Sequence, residues 1–295
     1  VYGHAFLRSC GADKRFLAGI LAAAASRTEG DALGAIPATR YRCCYSGGNC
    51  LVVLFGAFPM SELYIFTDFD GTITLDDLGD KLFLDFGQFE PYHTELLSHK
   101  LNIRQYWELL FASLPDYVDE QFIGNWATEH QLDAYFLEFA EFCKGNGLPL
   151  AVVSDGFDIY IDPVLSNINQ NHLKVYCNKA KKLGGKWQLT YPLATESCRC
   201  LVASCKRNAI LKDIPTDAFV IYIGDGYSDF CAAQYADIVF AKRSLARYCF
   251  EQKIPHHNWR SFFDITQVLR KILHSKTLRP RHQARLRRAD AFGCE

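Results

Sequence analysis

Three short apolar runs constrain this chain more than anything else in it, because each stops abruptly at small or acidic residues. Leu63 to Phe66 runs into "TDFDGT" at 67–72, "LPLAVV" at 148–153 into Ser-Asp-Gly, and "FVIYI" at 219–223 into "GDGYSD". Continuous apolar runs read as strands covered on both faces, and such strands belong to parallel sheets. Between the first two runs, "IRQYWELLFASL" and "LDAYFLEFAEFCKGNG" carry helical periodicity, the second ending at the helix stops Gly145 and Gly147. Between the last two, "KVYCNKAKKLGGKWQLTYP" places Gly184 and Gly185 between strand-like segments, as a hairpin does. The pattern predicts an α/β fold, a doubly wound parallel sheet with a helical region between its first two strands and a small β hairpin. Ligands bind at the carboxyl ends of such strands, so the polar tips should converge.

Asp68 and Asp70 are two apart, so on an extended chain their side chains leave the same face. Two anions sharing a small volume call for a positive partner, a cation or a lysine. Lys206 opens the helical segment "CKRNAILKDI", where it opposes the helix dipole unless an anion is near. Taken singly, Ser154 reads as a strand-end hydroxyl, Lys206 as a solvated helix residue and Asp229 as a helix cap. Taken together with Asp68, Asp70 and Asp225, they are the parts of phosphoryl transfer. One carboxylate attacks phosphorus, a second carries protons, and magnesium, lysine and a hydroxyl hold the phosphate oxygens.

"DFDGT", "VVSDG", Lys206 and "GDGYSD" resemble the four ordered motifs of the haloacid dehalogenase superfamily, in its phosphoserine-phosphatase-like branch. The likeness runs from about Tyr64 to Leu273. More narrowly, "SDGFDIYIDPVL", "VYCNKA", the cysteines before Lys206 and "GDGYSDFCAAQYADIVFAK" are similar to the methionine-salvage phosphatases acting on 2-hydroxy-3-keto-5-methylthiopentenyl-1-phosphate. Asp155 departs from that group, which often has a second glycine there. The resemblance implies a Rossmann-like core over residues 60–77 and 144–275 with a helical cap inserted over 78–143, and it implies Asp68 as nucleophile and Asp70 as acid and base. It implies Mg2+ held by Asp68, the Asp70 backbone carbonyl and Asp225, with Asp229 as an outer partner, and Ser154 and Lys206 on the phosphate. The implied substrate is a small-molecule phosphomonoester, with Arg104 a candidate contact from the cap. Two alternatives stand beside it: a phosphatase for phosphoserine or another amino or amino-alcohol phosphate, and a catalytically inactive binding member. A negatively charged cap pocket would favour the first alternative.

Charge excludes some partners. Residues 1–59 carry six basic and three acidic side chains and residues 276–295 six and two, which leaves the rest near −8 and unsuited to nucleic acid. Residues 276–295 read as a solvated basic tail. No apolar run approaches the ~20 residues that cross a bilayer. The twelve cysteines lack the spacing of a short secreted disulfide scaffold, so a reducing, cytoplasmic setting is expected. Cys198, Cys200 and Cys205 form C-x-C-x4-C, with no fourth metal ligand close in sequence. Met60 is the chain's one methionine, and residues 1–59 are expected to be a disordered leader or upstream extension, a targeting leader being the alternative.

Overall fold

The computed structural model describes residues 42–46, 49–53 and 63–293, except 195–197, 199, 201, 216 and 276–277. The chain divides into two units, Val1–Met60 and Ser61–Glu295. In the first, β1 (Arg42–Ser46) and β2 (Asn49–Val53) pair antiparallel. The rest of the expected leader lies outside the described residues.

The second unit is built on seven strands: β3 (Leu63–Thr67), β4 (Leu150–Phe157), β5 (Lys174–Leu183), β6 (Lys186–Thr190), β7 (Phe219–Gly224), β8 (Ile238–Ala241) and β9 (His257–Asn258). Their order is β6-β5-β4-β3-β7-β8-β9. Every pairing is parallel except the β5–β6 hairpin, which turns at Gly184 and Gly185. Alternation along β7 shows how the sheet is wound on both faces: Ile221 and Ile223 belong to one buried cluster with Ile65 and Phe240, Val220 and Tyr222 to another with Phe66 and Val239.

Between β3 and β4 lie α1 (Leu78–Phe86), α2 (Tyr92–Leu97), α3 (Ile103–Ala112), α4 (Glu120–Thr128) and α5 (Phe136–Gly145). The first four stand where the cap is expected, and α4 also packs on the helix that follows β4, with Gly124 against Pro163. Aromatic edges hold the cap together, Phe83 against Phe111 and Phe86 against Phe122. The fifth helix, which the sequence reading assigns to the cap as far as residue 143, packs on the core instead: Phe136 and Phe139 meet Phe262. The two passages between core and cap run side by side, joined by the Thr74–Leu132 bridge and the Leu75 N–H to Gln131 carbonyl bond of 3.0 Å.

The remaining helices are α6 (Asp158–Asn167), α7 (Lys206–Asp213), α8 (Phe230–Tyr235), α9 (Arg243–Glu251), α10 (Phe262–Ser275) and α11 (His282–Gly293). The last corrects the expectation of a solvated basic tail. Arg288 is fully buried, its Nη2 donating to Asp237 Oδ2 at 2.9 Å and to the Ala218 carbonyl at 3.0 Å. Arg281 donates to the carbonyls of Ala233, Gln234 and Ala236. Basic residues that look solvated in sequence are here spent on the open carbonyls at the end of α8. Among the described residues no helix is long and apolar enough to cross a membrane.

Candidate active site

The ends of β3, β4 and β7 meet as the parallel order requires, with β3 between the other two. Asp68 follows β3 directly and is nearly inaccessible. Its Oδ1 accepts the Phe69 N–H at 2.7 Å and faces Lys206 Nζ at 2.6 Å. Lys206 is the first residue of α7 and is 1% exposed. The anions that offset its clash with the helix dipole are Asp68 and Asp229, the latter 2.7 Å away. Burial alone would discharge the ammonium, but these two carboxylates outweigh it and hold Lys206 well above the ordinary lysine range.

Asp229 is consumed by its neighbours. Oδ1 accepts from Lys206 and from the Tyr222 hydroxyl at 2.6 Å, and Oδ2 accepts the N–H groups of Asp225 and Gly226, each at 2.9 Å. With both oxygens taken, Asp229 anchors Lys206 and shapes the turn that presents Asp225. Asp225 accepts from the Thr72 hydroxyl at 3.0 Å and from Arg243 Nη1 at 2.9 Å. Gly71, at φ +68°, permits this approach: a Cβ there would stand 2.7 Å from Asp225 Oδ2.

Asp70 is half-buried and tied from three sides. Oδ1 accepts the Leu78 N–H at the start of α1 at 3.0 Å, and Oδ2 accepts the hydroxyls of Ser154 and Tyr160, each at 3.1 Å. Loss of water raises its carboxyl, the charge of Asp77 adds to the rise, and the three hydrogen bonds only partly oppose it, so the group sits at about 8. Gly156 keeps this junction open, because a side chain there would collide with the Tyr160 hydroxyl.

These groups open onto a cavity of about 260 Å³. The core contributes Asp68, Asp70, Ser154, Lys206 and Asp225; the cap contributes Leu96, Ile103, Tyr106 and Trp107, with Asp77, Asp80 and His93. Burial, followed by the charge of Asp77, raises Asp80 to about 7. Arg104, on the same helix as Tyr106 and Trp107, is exposed and stacks over Tyr191 at 5.7 Å, outside this lining.

Carboxylate oxygens of Asp68, Asp225 and Asp229 lie within 4.8 Å of one another. Burial first, and then Asp229, raises both Asp68 and Asp225; Lys206 pulls against the rise at Asp68, and Thr72 and Arg243 against it at Asp225. Asp68 and Asp229 thus share one buried ammonium, and Asp225 meets Arg243 at the rim. The surplus of negative charge and the all-oxygen donor set suit a small hard divalent cation.

All six residues predicted from the motifs converge. Four partners were missed. Thr72 lies inside the first motif, so its position was a usable signal. Tyr160 and Arg243 reach the site only through the packing of α6 and α9. Asp155, which the sequence marks only as a departure from the methionine-salvage group, accepts the N–H groups of Ala203 (3.2 Å) and Ser204 (2.8 Å) and the Asn178 amide, and so fastens the turn before Lys206 to the end of β4.

Residues 65–234 match the model of the haloacid dehalogenase-like hydrolases, and the chain belongs to that family. The family and its named phosphatase relatives make it a phosphoric monoester hydrolase. One relative is the 2-hydroxy-3-keto-5-methylthiopentenyl-1-phosphate phosphatase of Brevibacillus brevis, 30% identical over 214 residues, covering 72% of this chain and 96% of the relative. Another of the same name, from Bacillus cereus, is 30% identical over 221 residues, covering 73% and 99%. Among solved structures, a phospho-aspartyl intermediate analogue of phosphoserine phosphatase matches with a TM-score of 0.52 at 20% identity, over 73% of this chain and 99% of that one, a likeness of fold.

Proposed function

We propose that the protein is a magnesium-dependent phosphatase for a small phosphorylated metabolite, working through an aspartyl phosphate on Asp68. The observation that carries this reading is the buried Lys206 ammonium bridging Asp68 at 2.6 Å and Asp229 at 2.7 Å, beside an Asp70 carboxyl raised to about 8. Lys206 and Ser154 bind the phosphoryl oxygens. Asp68 attacks phosphorus through Oδ2, the oxygen that carries neither of its two bonds. Asp70 gives its proton to the leaving oxygen, then takes one from the water that hydrolyses the aspartyl phosphate. Asp68, the Asp70 backbone carbonyl and Asp225 would hold magnesium, which when bound neutralises phosphate charge and fixes the line of attack.

The first candidate substrate is 2-hydroxy-3-keto-5-methylthiopentenyl-1-phosphate, by the names of the 30%-identical relatives and by the apolar wall of Leu96, Ile103, Tyr106 and Trp107. A second reading, an amino-alcohol or amino-acid phosphate, is favoured by one observation: Asp77 and Asp80 line the same cavity and offer an ammonium group two carboxylates.

The test combines a metabolite-phosphate panel, assayed with and without Mg2+, with intact-protein mass spectrometry after acid quench. One added phosphoryl group mapping to Asp68, and absent from Asp68→Asn, is expected. Label on another residue, or near-normal turnover by Asp68→Asn, would overturn the mechanism. A preference for the ammonium-bearing phosphates that Asp80→Asn abolishes would select the second substrate reading over the first.

A further inference from the structure

Four cysteines converge outside the carboxylate site. Cys198 and Cys200 lie in the connection between β6 and α7, Cys205 is the residue capping α7, and Cys231 is the second residue of α8. Cys198 Sγ is 3.0 Å from Cys200 Sγ, 3.5 Å from Cys231 Sγ and 3.6 Å from Cys205 Sγ. All four sulfurs lie within 4.8 Å of one another. The fourth ligand that C-x-C-x4-C lacks in sequence is therefore supplied from across the fold.

The spacing separates three ways of using such a group. A disulfide joins two sulfurs at about 2.05 Å and leaves the other two without purpose. Thiols that merely fill a core are dispersed, as the buried Cys143, Cys177 and Cys249 are here. A tetrahedral ion with metal–sulfur bonds of about 2.3 Å places its ligands roughly 3.8 Å apart, and distances of 3.0, 3.5 and 3.6 Å from Cys198, in a group no wider than 4.8 Å, approach that spacing. The set is also closed: four sulfurs fill a tetrahedral shell and leave no position for water or substrate, the mark of a structural site and not a catalytic one. All-thiolate tetrahedral coordination selects zinc over magnesium, calcium or manganese.

We propose that Cys198, Cys200, Cys205 and Cys231 bind one structural zinc ion, distinct from the carboxylate site. Binding replaces the thiol protons with the metal and leaves four thiolates around it. The position gives the ion its role. Cys205 precedes Lys206, and Cys231 follows Asp229 by two residues, so the centre crosslinks the two segments whose side chains form the Lys206–Asp229 pair. It also tethers a connection whose described residues between Thr190 and Lys206 belong to no helix or strand.

The experiment uses the full chain purified under reducing conditions with stoichiometric zinc, then dialysed against a mild chelator. Elemental analysis is expected to find one zinc per chain, and X-ray absorption four sulfur neighbours at about 2.3 Å. A mercurial thiol reagent should release the ion. Asp225→Asn should keep it and Cys231→Ser should lose it. Should Cys231→Ser fold poorly, Cys231→His, which preserves a zinc ligand, should restore both metal and fold. Absence of zinc from the wild-type chain, a disulfide among the four cysteines, or a zinc shell of oxygen and nitrogen would overturn the proposal.

Discussion

Asp70 shows how one carboxyl is set apart from its neighbour two residues away. Asp68 meets a buried ammonium, whereas Asp70 meets neutral donors: two hydroxyls and a backbone N–H. Burial raises both carboxyls, opposed at Asp68 by the Lys206 ammonium and at Asp70 by these neutral donors, and at about 8 Asp70 can carry a proton near neutrality. A raised carboxyl is protonated below its pKa, so acid catalysis should fade as pH rises through that value. A cation held at Asp68 would only lower the value, so for an alkyl phosphate the alkaline limb of kcat is expected at or below about pH 8. An aryl phosphate, whose leaving group needs little protonation, should show a shallower limb. Asp70→Asn keeps shape but removes the proton carrier, and turnover should drop by ~10²–10⁴. Rapid-quench measurement should then find the phosphorylated enzyme accumulating with the aryl substrate. A limb equally steep for both substrates, or no accumulation, would remove Asp70 from the acid–base role.

Among the elements, the turn before α7 decides where Lys206 points, and Asp155 governs that turn. Replacing Asp155 with Ala leaves the N–H groups of Ala203 and Ser204 without their acceptor, each worth about 1–3 kcal/mol when buried. Asp155→Ala is therefore expected to lower both denaturant stability and kcat. Asp155→Asn, which keeps one carbonyl acceptor, should recover part of each. Equal kcat in Asp155→Ala and wild type would show that the turn holds Lys206 without it. This connection also marks the limit of what the sequence discloses. The motif carboxylates and Lys206 were legible because contiguous apolar runs fix where each strand ends, and parallel order brings the ends together. The roles of Asp155, Tyr160 and Cys231 were not legible. Each depends on which distant segment packs beside it, and a polar residue at a strand end reads alike whether it meets water or a backbone amide.

At the scale of the whole molecule, α11 turns a run of arginines into structural material. A composition count sees only their charge, which is why residues 276–295 look like a solvated tail. The Arg288 guanidinium and the Asp237 carboxylate have no exposed side-chain surface. Breaking such a pair strands its partner, so Arg288→Ala is expected to cost about 3–5 kcal/mol in urea unfolding while leaving KM little changed. A loss under about 1 kcal/mol would mean that α11 contributes little to the fold.

The bridge between Thr74 and Leu132 has a bearing on how such a molecule acquires its selectivity. The cap leaves the sheet and returns to it through a doorway one residue pair wide, so everything between 75 and 131 is a cassette whose two ends already touch. The reacting groups stand on the threshold side and the walls that judge a substrate hang from the cassette. Exchanging the cassette beyond Leu78, whose N–H seats Asp70, alters the lock without disturbing the bolt, and a lineage could try one metabolite after another while its chemistry stayed still.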